Sequence, residues 1–474
     1  NREPLQMMGA AVPERALSRH DGQTSFSTLT TISESPLDAK LLYTGSDDGQ
    51  LYVTRDGGQK WTALTPRVNG VPAGTYVSSV LASRHVAGRV YATFDGHYND
   101  DYAAYVVASD DFGQTWRSIA SGLPATSVHR LREHPRNPRL LFVGHERGIH
   151  TSIDGGATWT SLNLNMPTVP VDDILIHPRE NDLIVGTHGR GIWVIDNIAA
   201  LEALTPDAVK SDAFLVPPAH ARLLSIYTPQ AWYGAGQFFA PNPEFGATID
   251  YYLRTAAPGG VVVRVSDAHG PIRTLMGSGR AGLNRLAWDL RMEGPLPTDA
   301  RNVPAAGGGF GGPPIGPLVL PGSYTITVES PAHPLKGELK VDGDPRVTFS
   351  DADRKTRQSA LLDLHGLIKA LGSARAAAAA GLAHADSTSR TTRAGGQDPA
   401  DTFRAVQAQM SAIITSAANL SRSIEGYSGL PTADQRRQID WAFGDARRAT
   451  DALNRALQTE GGSPAEQLSI PKRQ

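Results

Sequence analysis

Seven consecutive residues, Asp95-Gly-His-Tyr-Asn-Asp-Asp101, place three carboxylates and an imidazole in one short stretch. Oxygen donors this close together suit a calcium ion, with Asp95, Asp100 and Asp101 as ligands. A carboxylate two residues from His97 equally suits general acid–base work, and a loop of this composition also serves as a lid or as a solvated turn held by its own Asx bonds. A second acidic group, Glu146, stands between His145 and Arg147. Hydrolysis of a glycosidic bond takes two carboxyl groups roughly 5–10 Å apart, one of them kept protonated by its surroundings. Glu146 with Asp95 or Asp101 is the pair this chain offers for that reaction.

The most conspicuous acidic motif is a different one. Ser152-Ile-Asp-Gly-Gly-Ala-Thr-Trp159 shares its frame with Thr54-Arg-Asp-Gly-Gly-Gln-Lys-Trp61 and Ser109-Asp-Asp-Phe-Gly-Gln-Thr-Trp116, with the tryptophans 55 and 43 positions apart. An internal period of this size marks a propeller or a solenoid. The hydroxyl and the carboxylate of each box suit bonds to the backbone of their own tight turn, while the tryptophan packs between repeats. Asp56, Asp111 and Asp154, with Trp61, Trp116 and Trp159, therefore read as braces rather than catalysts.

The elements that must carry these residues are short strands. Leu41–Val53, Leu140–His150 and Leu183–Ile195 are pairs of apolar runs about a Gly-containing turn, the pattern of a hairpin. In Arg89–Ser109 the same hairpin is lengthened by the 95–101 stretch. A further apolar run precedes each hairpin, and a fourth follows each box, so the unit reads as a four-stranded blade, repeated four times before residue 205. In such a blade alternate turns lie at opposite ends. The Gly turns then share an end with the connecting loops 65–75, 120–127 and 163–170, away from the boxes. That end gathers Asp47 and Asp48; Asp95, His97, Asp100 and Asp101; His145, Glu146 and Arg147; and His188 and Arg190. A ligand is expected there. His85, His134 and His177 recur at one place in the repeat, and repeat architecture accounts for them better than metal binding does.

The boxes resemble the Asp-box, or BNR, repeats of sialidases, xyloglucanases and sortilin-type propellers. Asp95-Gly-His97, Asp101-Tyr102 and the closing Gly186-Thr-His-Gly-Arg-Gly-Ile-Trp-Val-Ile-Asp196 resemble large exported bacterial proteins of the sortilin-like, glycosyl hydrolase-related type, over residues 20–200. The resemblance implies export to the periplasm or beyond, and further blades ahead of Asn1, supplied by the same precursor or by a partner chain that completes the ring. It implies a glycan or peptide ligand. A chain opening on Asn1 rather than Met, with loop-like sequence to Gly22, is expected of a processed or truncated product. Sialidase chemistry would need an arginine cluster and a tyrosine nucleophile, and Arg147 with Arg190 make no cluster.

Beyond residue 205 the repeat stops. Ala247–Arg254, Val261–Ser266, Leu283–Leu290 and Gly322–Val328 alternate as strands between Pro-Gly-Gly and His-Gly turns, which reads as a β-sandwich. Its Trp-Asp and Pro-Gly-x-Tyr strands resemble the immunoglobulin-like modules appended to extracellular bacterial enzymes. Trp232, Tyr233, Tyr251 and Tyr252 are a sugar-stacking platform or, more commonly for such residues, core and interface. Pro304–Pro314 lacks the lysine and hydroxyl of a phosphate-binding loop and reads as a mobile loop. From Ser350 the composition turns to Ala, Arg, Gln and Leu. Ser350–Asp353 caps a helix with a stripe of Leu361, Leu364, Ile368 and Leu371, and two more helices span about 401–425 and 432–458, around a polar linker at 386–398.

With 45 Lys+Arg against 47 Asp+Glu there is no basic surplus to favour nucleic acid. The absence of cysteine excludes disulfides, zinc–thiolate sites and thiol nucleophiles. No run reaches the ~20 apolar residues of a membrane span. The expected fold is mainly β with an α-helical C-terminus: a partial propeller of about four blades over 1–205, an immunoglobulin-like sandwich over 206–345, a three-helix bundle over 346–460 and a flexible tail over 461–474. The leading function is binding a protein, peptide or glycan at the end opposite the boxes, without a cofactor beyond a structural calcium. A glycoside hydrolase and a structural subunit of an envelope or surface assembly are the alternatives.

Overall fold

The computed structural model describes residues 6–7, 10–11, 13, 15–18, 22, 24–224, 236, 240, 243–297, 314–388, 399–459 and 468–473. Trp232, Tyr233, residues 304–313 of the glycine-rich run, 389–398 of the polar linker and 461–467 of the tail lie outside them. The chain divides into two compact units, residues 1–212 and 213–474, and is mainly β with C-terminal helices.

In the first unit a short hairpin, β1 (Gln6–Met7) and β2 (Ala10–Ala11), precedes four antiparallel meanders. The first sheet is β3 (Leu29–Ser35), β4 (Asp38–Ser46), β5 (Leu51–Thr54) and β6 (Thr62–Ala63). The second is β7 (Tyr76–Ala82), β8 (Val90–Asp95), β9 (Tyr105–Ser109) and β10 (Arg117–Ser118). The third is β11 (Val128–Glu133), β12 (Leu141–His145), β13 (Gly148–Ser152) and β14 (Thr160–Ser161). The last has three strands, β15 (Val171–Ile176), β16 (Leu183–Thr187) and β17 (Ile192–Ile195), and runs into a short helix, α1 (Ala199–Ala203). The order of strands in each meander is that of a propeller blade.

The sheets stack by their first strands, β3 on β7 on β11 on β15. Each junction has its own apolar core: Leu41, Tyr43 and Val53 meet Val77 and Phe94; Tyr91 and Val106 meet Leu131 and Val143; Phe142 and Ile149 meet Ile174 and Val185. Strand β8 is buried at every residue because sheets cover both its faces.

Two details make the stacking specific. Gly45 and Gly144 both lie inside the second strand of their sheets. A Cβ at Gly45 would come 2.4 Å from Cγ1 of Val77, and one at Gly144 would come 2.7 Å from Cγ1 of Val171. The glycines are sockets into which the next sheet's first strand sets a valine. The equivalent Gly186 in the last sheet has nothing nearer than 3.7 Å, and Leu29, at the valine's place in the first sheet, is 63% exposed. The second detail is a register shift, repeated at the same place in every first strand, which leaves Thr30, Ser78, His129 and Asp172 without a cross-strand partner. Thr30 Oγ1 donates to the Val77 carbonyl (3.0 Å) and Ser78 Oγ to that of Val128 (2.6 Å), so the shifted residues tie one sheet to the next. Buried Glu133 adds to this between the second and third sheets, accepting from Ser83 Oγ, the Arg84 N–H and the Tyr91 hydroxyl.

In the second unit, β18 (Ala213–Leu215), β20 (Ala247–Leu253) and β23 (Gly282–Trp288) form one sheet. The other contains β19 (Ala221–Leu223), β25 (Pro334–Gly343), β24 (Gly322–Glu329), β21 (Val261–Asp267) and β22 (Gly270–Gly277), with β19 parallel to β25. The two sheets share a core around Ile249, Tyr251, Val263, Trp288 and Ile326. Tyr251 is therefore a core residue, and its neighbour Tyr252 stacks on Phe214.

Three helices follow, α2 (Asp351–Thr388), α3 (Pro399–Glu425) and α4 (Ala433–Thr459). Ser350 Oγ accepts the Asp353 N–H (3.1 Å) at the start of α2. At α4 the Gln435 side chain accepts from the Thr432 N–H (2.9 Å) while Thr432 Oγ1 accepts from the Gln435 N–H (3.2 Å), a reciprocal capping box. Leu361, Leu364, Ile368 and Leu371 face a common helical core. Residues 468–473, expected to belong to a flexible tail, instead lie on the helices: Leu468 and Ile470 pack against that core and Arg473 pairs with Asp363. Two apolar side chains at alternate positions are enough to dock so short a segment.

Filling a socket should destabilise the first unit. Gly144→Ala or Gly45→Ala is expected to cost about 1–3 kcal/mol, and Gly186→Ala much less. Calorimetric or urea unfolding of the three variants checks this, and equal effects would refute the socket.

Candidate functional site

Hydrogen bonds distinguish the two ends of the sheets. The hairpin turns between second and third strands bond the loops that enter the first strands: the Asp47 N–H to the Thr28 carbonyl (3.1 Å), Glu146 to Ser127 (3.3 Å) and His188 to Pro170 (2.9 Å). The boxes bond the other turns instead, Gly57 to Lys40, Phe112 to Gly88 and Gly155 to Arg139.

Each box satisfies itself. Thr54 Oγ1 donates to Asp56 (2.8 Å) and accepts the Gly58 N–H (2.9 Å), while Asp56 accepts the Lys60 N–H (2.9 Å). Ser109, Asp111, Gly113 and Thr115 repeat the pattern, as do Ser152, Asp154, Gly156 and Thr158. The Thr115 hydroxyl and N–H hold the Asp111 carboxyl down at about 2. The Lys60 N–H and Thr54 hydroxyl lower Asp56. At Asp154 burial opposes ionisation, and the Thr158 hydroxyl and N–H outweigh it. Carboxylates held ionised in this way are poor proton donors. Trp116 donates to the Gly113 carbonyl (3.0 Å) of its own box, Trp159 to the Ile119 carbonyl (2.7 Å) of the preceding sheet, and Trp61 is exposed.

At the hairpin-turn end, Asp47 and Asp48 are buried in the first sheet's turn. Asp47 Oδ1 accepts the Thr28 N–H (2.8 Å), and Asp48 accepts from Ser27 Oγ (2.9 Å) and Ser46 Oγ. Asp95, 1% exposed, bonds through Oδ1 to the His97 N–H (3.0 Å) and His97 Nδ1 (2.7 Å). Asp101 accepts from the Ala103 N–H (3.0 Å) and the Tyr105 hydroxyl (2.7 Å), which that bond and burial push up to about 12. Asp100 takes the left-handed backbone position that ends the loop's helical turn. Among the described residues no group of three or more histidine, aspartate or glutamate side chains is arranged to hold a metal ion.

In the third sheet Glu146 meets His129 Nε2 (2.9 Å). Buried His145 accepts the Arg147 N–H at Nδ1 (3.1 Å), which leaves Nε2–H to donate to His150 Nδ1 (2.7 Å). In the fourth, His188 faces Asp172 (3.4 Å), and the Arg190 carbonyl accepts from Trp193. The sequence reading overlooked His129 and Asp172, which reach the turn only because the register shift frees them.

Two phenols link the sheets. Burial raises the Tyr76 hydroxyl, and the charges of Asp95 and Asp47 raise it further against a bond to Thr30. Burial also raises Tyr98, with Asp95 and Glu146 adding to it. The charges of Asp47 and Asp95 thus act on Tyr76 and those of Asp95 and Glu146 on Tyr98, drawing on three successive sheets. The ring of Tyr98 leans on His97 with centroids 3.8 Å apart. Asp47 Oδ2 and Asp95 Oδ2 are both buried and have no hydrogen-bond partner.

No protein-family model matches this chain, and none of the curated proteins does. Among solved structures it is similar to YCF48 from Cyanidioschyzon merolae, with 17% identity over 36% of this chain and 54% of that one, at a TM-score of 0.27. It is similar to a GH74 xyloglucanase from Xanthomonas campestris, with 20% identity over 39% of this chain and 27% of that one, at 0.28. For a GH74 enzyme from Niastella koreensis the figures are 14%, 56%, 31% and 0.29. The chain spans about half the length of the first and about a quarter of the second.

Burial pushes His145 down from 6.5 to about 3, with the nearby charges of His150, His129 and Arg147 adding to it. Above pH 6.5 the imidazole is neutral whether the chain is folded or not. Between 6.5 and 3 the unfolded chain binds a proton that the folded site refuses, so stability falls as pH drops through that window. His145→Gln should flatten the loss between pH 6 and 4 by about 1.4 kcal/mol per unit at its steepest. Parallel stability–pH curves for the two proteins would contradict this.

Proposed function

We propose that the stacked sheets are part of a β-propeller that binds a peptide or protein through a basic group at the hairpin-turn end, away from the boxes. The observation that carries this reading is the pair of buried, partnerless oxygens, Asp47 Oδ2 and Asp95 Oδ2, whose carboxylates both act on the Tyr76 hydroxyl. A buried carboxylate oxygen without a donor costs free energy. An incoming ammonium or guanidinium supplies both the donor and the opposite charge, whereas a glycan hydroxyl supplies only the donor.

The hydrolase reading has weaker support. A glycosidase needs two carboxyl groups facing a cleft. Asp95 Oδ1 is taken up by His97, and both oxygens of Asp101 accept bonds from Ala103 and Tyr105, which weakens the support for either as the partner of Glu146. A place beyond the cytoplasm remains part of the proposal by the resemblance of the boxes; no described helix is long and apolar enough to cross a membrane. The open socket at Gly186 and the exposed Leu29, with exposed Ile32, Ile192 and Val194, support further sheets on both outer faces, from the same precursor or a partner chain.

The test is a panel of lysine- and arginine-containing peptides alongside neutral oligosaccharides. Peptide binding is expected, and Asp95→Asn or Asp47→Asn should weaken it by about tenfold or more, while Asp110→Asn at the box end leaves it unchanged. Oligosaccharide binding that survives Asp95→Asn would overturn the reading.

A further inference from the structure

The second unit has a cleft of about 390 Å³ between the segments 318–321 and 344–349 and the first turns of α2 with the end of α3. Its size falls in the range of small-molecule sites. Leu318, Val319, Phe349 and Leu361 give it apolar walls. Its charged lining is Arg291, Arg354, Arg357 and Arg422 against Asp344 and Glu425, a formal excess of two positive charges.

The two acids are engaged at the margins. Glu425 accepts from Arg291 Nη2 (2.5 Å) and from the Leu318 N–H (3.1 Å), and Asp344 holds Arg346, which does not line the cleft. Arg354 and Arg357 are placed by neutral groups. Arg354 Nε donates to the Phe349 carbonyl (3.2 Å) and Arg357 Nη1 to that of Tyr427 (2.8 Å). Both guanidiniums lie over the Phe349 ring, 5.3 and 4.7 Å from its centroid. One aromatic ring therefore holds two like charges. Burial lowers the basicity of Arg357, Arg354 adds to that, and Glu425 offsets part of it.

We propose that this cleft is a binding site for an organic anion, a carboxylate or phosphate monoester carried on an apolar body of about one or two rings. The anionic group sits at Arg354 and Arg357, where planar guanidiniums match its oxygens. The body lies against Leu318, Val319 and Leu361. An inorganic anion would leave those walls unused.

The full chain is titrated with the fluorescent anion 8-anilinonaphthalene-1-sulfonate, then challenged with phenyl phosphate, benzoate, inorganic phosphate and the neutral dye N-phenyl-1-naphthylamine. Saturable binding is expected, displaced by phenyl phosphate or benzoate but not by inorganic phosphate or the neutral dye. Arg354→Gln with Arg357→Gln should weaken it by about tenfold or more. Ser428→Trp, which narrows the cleft and keeps every arginine, should also weaken it, so the proposal does not depend on the arginine variant folding. Unchanged affinity in Ser428→Trp, or displacement by inorganic phosphate as strong as by phenyl phosphate, would overturn the site.

Discussion

The stacking of one sheet's first strand into the preceding sheet's second strand is the constraint on which the first unit depends. A valine seated on a glycine brings two backbones closer than any side chain at that glycine would allow, and this close approach lets the apolar faces exclude water along each junction. The second sheet meets the third differently. It carries Thr93 where its neighbours carry glycine, and the threonine hydroxyl bonds Ser78 instead. Glu133 of the third sheet is satisfied across that junction, its carboxylate gathering three donors from the second sheet.

The same unit sorts its carboxylates by end. At the boxes every acidic oxygen that matters to the turn has a donor within four residues, so the charge is locked in place and chemically quiet. At the other end Asp47, Asp48 and Glu146 take donors from distant segments, Asp95 and Asp101 from their own loop, and the Oδ2 atoms of Asp47 and Asp95 are left over. The polar surplus on one side and the closed local networks on the other follow from strand alternation alone, which places successive turns at opposite ends.

Much of this was legible because it is local. The boxes, the hairpins, the capping residues Ser350 and Thr432, and the stripe from Leu361 to Leu371 each declare themselves within a few residues. What sequence could not show depends on neighbours far along the chain. Nothing local to Gly45 announces Val77 against it, and His129 reads as an ordinary strand residue until the register shift turns it to Glu146. Strand β25 hides its alternation of Leu335, Leu339 and Val341 behind Pro334 and Gly337, and β22 opens on a Gly-Pro pair that reads as a turn. The arginine cleft escaped notice altogether, since its lining comes from segments between residues 223 and 428.

The repeated register shift has a consequence for how such a scaffold diversifies. Each first strand gives up one residue from its ladder, and the four residues released are Thr30, Ser78, His129 and Asp172: two hydroxyls, an imidazole and a carboxylate. None of them is fixed by a ladder partner, so each side chain is set by what it ties: Thr30 and Ser78 tie the next sheet, His129 ties Glu146 and Asp172 ties His188. All four stand at the same height, just inside the entering loops. A repeat protein ordinarily buys uniformity at the expense of individuality; here each copy keeps one position with a chemistry of its own.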